Sequence, residues 1–348
     1  MLTLSQATSE SRSILKWGGV IFFILVVIFV MFKIGVALKQ TFFPTPPPPP
    51  TVSFGKLPAI VFPNNVSDKS FNYSINTISG TLPSFPDRVK IYKMVSNPPD
   101  LLALSKAREK VGQVGFTNPE ITVSNKTYQW NDNGPLNRTL TMDVFSSNFG
   151  LSSAFISDPT VLSSINLPDQ TTAINTAQTF LSAMSSFPND IDTNKTKTLL
   201  FSINNDTLTS ATSLSNSQVI EVDFFQKDVD KLPIFYPKAV NSTINVLVVG
   251  GKDQPQIAQV SYSHQDISDQ SATYPIKTAE EAFDLLKQGQ GYIASYFGTG
   301  TDISIKNVYV AYYIGDKKQD YLEPIAVFEG DNGFFAYVPI TPDVWISK

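Results

Sequence analysis

The sequence predicts an α+β protein hung from an N-terminal membrane anchor, and three observations predict it. Residues Trp17 to Phe32 run without a charge. Three later stretches carry apolar residues at helical spacing. Each is followed by short apolar runs separated by turn residues. Strands joined by tight turns pair antiparallel, and a helix with one apolar stripe covers the apolar face of such a sheet.

The anchor comes first. Beyond Lys33 the apolar stretch continues from Ile34 to Leu38, and about 20 residues at ~1.5 Å each cross the hydrocarbon layer. The expected transmembrane helix is therefore 17–38, with residues 1–16 a cytoplasmic tail. Trp17 suits one interface, and Lys33 and Lys39 can snorkel at the other. Arg12 and Lys16 balance those lysines, so the positive-inside rule does not set the orientation. The absence of cysteine and the Asn/Ser/Thr-rich body favour an exported, bacterial-type chain with its C-terminal body outside. A cleaved signal peptide ending near Gly35-Val36-Ala37 is the alternative, against which stand the long apolar run and Lys33.

Residues 39–84 read as a stalk and an extended segment. Pro44 and Pro46 to Pro50 favour stiff polyproline II, and docking to SH3 or WW grooves lacks a flanking basic residue. From 51 to 84 isolated apolar patches alternate with Pro, Asn and Ser, as in chain laid along a domain.

Three helix-then-meander units are expected next, at 85–165, 166–272 and 273–348. In the first, Leu104, Ala107, Val111 and Val114 share a helical face, and strands near Thr127 to Trp130 and Leu140 to Phe145 flank an Asp132-Asn133-Gly134-Pro135 turn. The second opens with Asp169 as N-cap and Ile174, Ala177, Leu181 and Met184 as the stripe. Its strands are Val219 to Gln226, Ile234 to Tyr236, Ile244 to Val249 and Gln256 to Tyr262. The third begins with a capping box, Thr278-Ala279-Glu280-Glu281, and Gly289 stops its helix. Strands Val308 to Ile314, Leu322 to Glu329 and Phe334 to Ile340 follow.

The string "TAEEAFDLLKQGQG" and the meander "IKNVYVAYYIGDKKQDYLEPIAVFEGDNGFFAYVPI" resemble the C-terminal domains of the YycH and YycI type, membrane-anchored extracytoplasmic regulators of a cell-wall sensor kinase. Ala282, Leu286, Val310, Tyr312, Tyr313, Leu322, Pro324, Phe335 and Tyr337 carry the likeness. PepSY-like domains share the same plan. The chain departs in having Ile325-Ala326 where those regulators tend to place a Trp, and in its proline stalk. The resemblance implies the fold and an envelope location, and no functional residue is carried over.

Composition narrows the chemistry. A net charge of -4 and only 16% charged residues leave little for counterion-release binding, so nucleic acid is not an expected partner. Seven Asn-x-Ser/Thr sequons, from Asn65 to Asn241, are what so Asn- and Ser-rich a chain produces by chance. His264, the single histidine, reads as a solvated loop residue. The carboxylate pairs Asp228/Asp230, Glu280/Glu281 and Glu329/Asp331 match no metal-ligand spacing. No catalytic, cofactor-binding or metal-binding residue is expected.

The doubled aromatics are different, because neighbours in a strand point to opposite faces. Tyr312-Tyr313 and Phe334-Phe335 must each send one ring away from the helix-covered face, so these four are the expected partner-binding residues on an exposed sheet face. The expected function is non-catalytic binding or regulation of another envelope protein, by a protein tethered through Trp17 to Leu38. An envelope hydrolase or wall-modifying enzyme with a dispersed polar site is the alternative.

Overall fold

Alternating apolar residues with turn residues between them build seventeen strands in the described residues, and stripes at 3.6 spacing build the helices. The computed structural model describes residues 23, 25–34, 49–67, 69–98 and 100–347. The chain divides into two units, 1–49 and 50–348. In the first, residues 25–34 are helical with Phe29, Met31 and Phe32 exposed. The tail 1–16, positions 17–22, 24 and 35–38 of the expected transmembrane helix, and the proline run up to 48 lie outside the described residues. Among the described residues no helix is long and apolar enough to cross a membrane.

In the second unit the strands are β1 (Asn72–Ile75), β2 (Arg88–Met94), β3 (Ile121–Thr122), β4 (Thr127–Asn131), β5 (Thr139–Asp143), β6 (Phe149–Ser152), β7 (Lys197–Asn204), β8 (Thr207–Ser210) and β9 (Val219–Asp223). They continue as β10 (Ile234–Phe235), β11 (Ile244–Val249), β12 (Gln256–Tyr262), β13 (Ile267–Pro275), β14 (Tyr292–Ser295), β15 (Asp302–Tyr313), β16 (Tyr321–Gly330) and β17 (Phe335–Pro339). Among the described residues of the unit there are four α-helices, α1 (Ala103–Gly112), α2 (Pro159–Leu162), α3 (Gln170–Ala183) and α4 (Ala279–Lys287), beside short 3-10 turns.

One sheet has nine strands in the order β3-β4-β5-β6-β12-β11-β9-β7-β8, every pair antiparallel. Helices α1 and α3 bury Ala107, Val111, Ala177 and Leu181 against Trp130, Leu140, Val222 and Val246 on one face. The Asp169 carboxylate accepts from the Thr172 amide at 2.7 Å, which starts α3 where the N-cap was expected. The opposite face carries Val219, Leu247 and Val249 under Phe155 and Val161.

The other sheet has eight strands along the path β1-β15-β16-β17-β14, with β10 on β15, and β2 between β13 and β16. Helix α4 starts at the expected capping box, Thr278 and Glu281 each bonding the other's amide at 3.2 and 2.7 Å. It packs Ala282 and Leu286 on Ala326, Phe328 and Val338. At the β16–β17 turn Asn332 and Gly333 both have positive φ, as a type I′ hairpin requires. A Cβ on Gly333 would also lie 2.5 Å from the Phe297 ring.

The α+β class with large antiparallel sheets and few helices is as expected, but the three units do not each keep a sheet. Strands from 85–165 and from 166–272 merge into the nine-stranded sheet, while β2, β10 and β13 leave those units to join the eight-stranded one. Both β1 and β10 pair with β15 in parallel, which a chain of hairpins cannot produce. These pairings link residues far apart in sequence, and local turn chemistry is blind to them.

The expected exposed sheet face is also corrected. Tyr312 and Tyr313 do point to opposite faces, but both have 0% exposure, as does Phe334, and Phe335 is half-buried. A second layer covers the face opposite α4: Ile60 and Phe62 of the N-terminal extended segment, with Phe235, lie over Tyr292, Tyr313, Val327 and Tyr337. The Phe62 ring stacks on Tyr292 at 5.0 Å and meets Tyr313 edge-on at 4.7 Å.

Candidate functional site

A cleft of about 550 Å³ opens where the two sheets meet. Three connections build it: the β5–β6 turn, the β12–β13 link and the β15–β16 turn. In the first, the Asp143 carboxylate accepts from the Phe145 and Ser146 amides at 3.0 and 3.1 Å and pairs with Lys126 at 2.8 Å. Burial opposes ionisation of Asp143, but Lys126 and the two amides outweigh it and hold the carboxyl below its usual range. The turn presents Phe145 to solvent.

The second and third connections are tied to each other. Gln265 Nε2 donates to the Gln319 carbonyl at 2.6 Å, and the Gln319 amide donates back to Gln265 Oε1 at 3.1 Å. Asn148 joins the first connection to the second: its Oδ1 accepts from the His264 amide at 3.1 Å. The cleft walls thus belong to both sheets and are fixed by side-chain amides. Lys110, Lys317 and Lys318 also line the cleft, and burial together with Lys106 pushes the Lys110 ammonium below its usual value.

His264 departs from the sequence reading. Its side chain is 8% exposed, and Nε2 lies 3.0 and 3.2 Å from the two Asp190 oxygens. Asp190 Oδ2 also accepts from Gln226 Nε2 at 2.7 Å, and the Gln226 amide donates to the Tyr236 hydroxyl at 3.1 Å. Burial works against the Asp190 charge, yet the His264 and Gln226 hydrogen bonds and the imidazole charge outweigh it, so its carboxyl sits below the usual range. The chain Tyr236–Gln226–Asp190–His264 is therefore a half-buried polar network in the cleft wall and no solvated loop.

His264 Nδ1 faces Asp266 at 3.9 Å. Among the described residues, donor atoms of Asp190, His264 and Asp266 form the one trio close enough to hold a metal ion, all within 4.8 Å of one another. Two of the Asp190 oxygens' bonds are already made, to His264 and Gln226, which suits Asp190 better to orienting the ring. Among the described residues no hydroxyl is hydrogen-bonded to His264. No spacing rule connects position 190 with 264, and the only sequence signal was that the histidine is unique.

The four expected partner-binding residues are not brought together. Tyr312 faces α4 and its hydroxyl donates to the Lys90 carbonyl at 2.6 Å. Tyr313 lies on the other face under Phe62. Phe334 packs among Phe71, Tyr73 and Tyr296, and Phe335 against Phe235.

No protein-family model matches this chain, and no curated protein sequence does. Among solved structures, an uncharacterized protein from Eubacterium rectale is similar at 13% identity, covering 79% of this chain and 89% of that one with a TM-score of 0.39. The C-terminal domain of Bacillus megaterium YpeB is similar at 10% identity, covering 71% of this chain and 95% of that one with a TM-score of 0.32. At such scores neither likeness carries an argument, and neither supports membership of the YycH or YycI type.

Proposed function

We propose that this is a membrane-anchored, extracytoplasmic binding protein that acts on another envelope protein, performs no chemistry of its own, and seats its partner in the cleft between the two sheets. The observation that carries this reading is the cleft itself. Its walls set lysines, carboxylates, amides and serine hydroxyls around the exposed Phe145 ring, a mixture suited to an extended polar segment of protein. Tethering is supported by the uncharged run from Trp17 to Phe32. The buried Tyr312, Tyr313 and Phe334 are not the docking residues in this reading, since Tyr313 lies under Ile60 and Phe62, Tyr312 on the face that α4 covers, and Phe334 among Phe71, Tyr73 and Tyr296.

In-cell cross-linking tests it. A photo-reactive phenylalanine in place of Phe145 should capture one envelope protein, and the double change Lys317→Glu, Lys318→Glu should reduce that product about tenfold, as loss of two lysines at a charged rim does. Capture that ignores the lysine changes would sink the cleft as the docking site.

A second reading, an envelope hydrolase, is favoured by one observation: a carboxylate that orients a histidine, as in a general base with its partner. Hydrolysis of a wall or peptide substrate that disappears in His264→Ala would establish it. In the binding reading no such hydrolysis is seen, while the unaltered chain still gives the cross-linked product.

A further inference from the structure

We propose that a separate cavity beside β17 is a binding site for a small aliphatic amine, whose ammonium group is taken by the Glu323 carboxylate and the Thr341 hydroxyl. The cavity measures about 280 Å³, and Ile60, Leu285, Val338 and Ile346 make its apolar walls. In β16, Glu323 is the cross-strand partner of Tyr313. It therefore points to the face that Ile60 and Phe62 cover. The β16–β17 register, Ile325 opposite Pro339, continues through the Ile340 amide and the Pro324 carbonyl, which places Thr341 opposite Glu323.

Both groups are buried without a partner. Glu323 is 3% exposed and Thr341 2%, and neither Glu323 Oε2 nor Thr341 Oγ1 has a hydrogen bond. A buried acceptor left unpaired destabilises the fold, a charged one more so. Two such groups lining one cavity describe a site shaped for a donor that comes from outside.

The chemistry of that donor follows from the surroundings. Lys277 and Asp343 also line the cavity, but they pair with each other at 2.8 Å, so Glu323 has no cation of its own. An anion would find no free cation there. Among the described residues the only gathered trio of His, Asp or Glu is Asp190, His264 and Asp266. A metal ion would thus find two carboxylates here, one of them already paired with Lys277, far short of the ~6 oxygens a hard cation takes. A primary ammonium carries three donors, enough for a carboxylate and a hydroxyl together, and an aliphatic stem matches the walls. The volume lies below the ~300–1,000 Å³ of drug-sized pockets, so the ligand is small.

Burial pushes the Glu323 carboxyl up to about 8. The titratable groups near it are Tyr274, Tyr313, Lys277 and Asp343. At neutral pH the acid is protonated, and an arriving ammonium must expel that proton. Amine affinity should therefore rise as pH rises toward the folded-state value and level off above it.

Calorimetric titration of the purified full chain with n-butylammonium chloride is the test, with n-butanol and sodium butyrate beside it. The expected result is saturable amine binding that tightens about tenfold from pH ~7 to ~9. At pH ~7 it should release close to one proton per amine, read from two buffers of different ionisation enthalpy. Butyrate should not bind, butanol should bind at least about tenfold more weakly, and Thr341→Val should weaken the amine several-fold. Glu323→Gln should remove the pH dependence. Nα-acetyl-lysine N-methylamide, with its bulky backbone, should bind more weakly than the free amine. Equal binding would replace the free amine with a lysine side chain of another protein. Butanol binding as tightly as the amine, affinity indifferent to pH, or no amine binding at tens of millimolar would each overturn the proposal. If Glu323→Gln fails to fold, proton release by the unaltered chain and the Thr341→Val affinity decide the matter.

Discussion

Beside the cleft stands a half-buried acid and on the covered face of the eight-stranded sheet a buried one, and the two regions treat them in opposite ways. Asp190 is held by His264 and Gln226 and stays ionised. Glu323 stands among apolar side chains with Oε2 unpaired and is driven neutral. One region is organised by hydrogen bonds and tolerates charge, while the other is organised by packing and tolerates a polar group only where space adjoins it. The difference teaches where each region is vulnerable: the cleft to loss of a partner atom, the covered face to loss of volume.

The largest effect should come from volume. Tyr313→Ala removes a ring with 0% exposure from beneath Phe62 and should cost about 3–5 kcal/mol in a urea melt. A change below about 1 kcal/mol would mean that the second layer leaves the face in solution, and the comparison would collapse.

Next is the unpaired acid, whose sign is fixed by its raised value. A carboxyl with a folded value of about 8 favours the folded state at pH below its unfolded value. That contribution is lost as pH rises through the folded value. Glu323→Gln should therefore be more stable than the natural chain by on the order of 3 kcal/mol near pH 9, with the difference vanishing near pH 4. Melts at the two pH values check it, and a pH-independent difference would show that Glu323 has a partner.

Smallest should be Asp190→Asn, which keeps the shape and loses the charge. Because the Asp190 carboxyl sits below its usual range, its contribution is present above the unfolded value near 4 and fades as pH falls through the folded one. A loss of about 1–2 kcal/mol near pH 7 is expected, shrinking in acid. A loss as large as that of Tyr313→Ala would make the cleft wall the more rigid of the two regions.

Much of the local structure was legible. The Asp169 cap, the Thr278–Glu281 box, the stripes of Ala107, Val111, Ala177 and Leu181, and the Asn332-Gly333 turn are all decided within a few residues. The fold between these elements was not. Whether Tyr313 is exposed depends on Phe62, which lies in a stretch with no periodicity. His264 meets Asp190 only because the end of β12 and the loop after α3 come together in the fold. Nothing in the sequence singles out Glu323, and only the covering segment makes it buried. Periodicity reports which faces an element has, and the partner of each face is a property of the whole chain.

Strand β15 has a consequence for how the chain reaches this state. Its first half pairs with β1, some 230 positions earlier, its end pairs with β10, and Ser347 bonds back to Leu57 across 290 positions. As the polypeptide emerges from the ribosome, β1 and the aromatic segment before it have no mate until some 230 further residues are made. Folding of the eight-stranded sheet is thus a late, non-local event of the slow kind that high contact order brings. Meanwhile Phe62, Phe71 and Tyr73 remain uncovered on the nascent chain, open to chaperones and to aggregation alike.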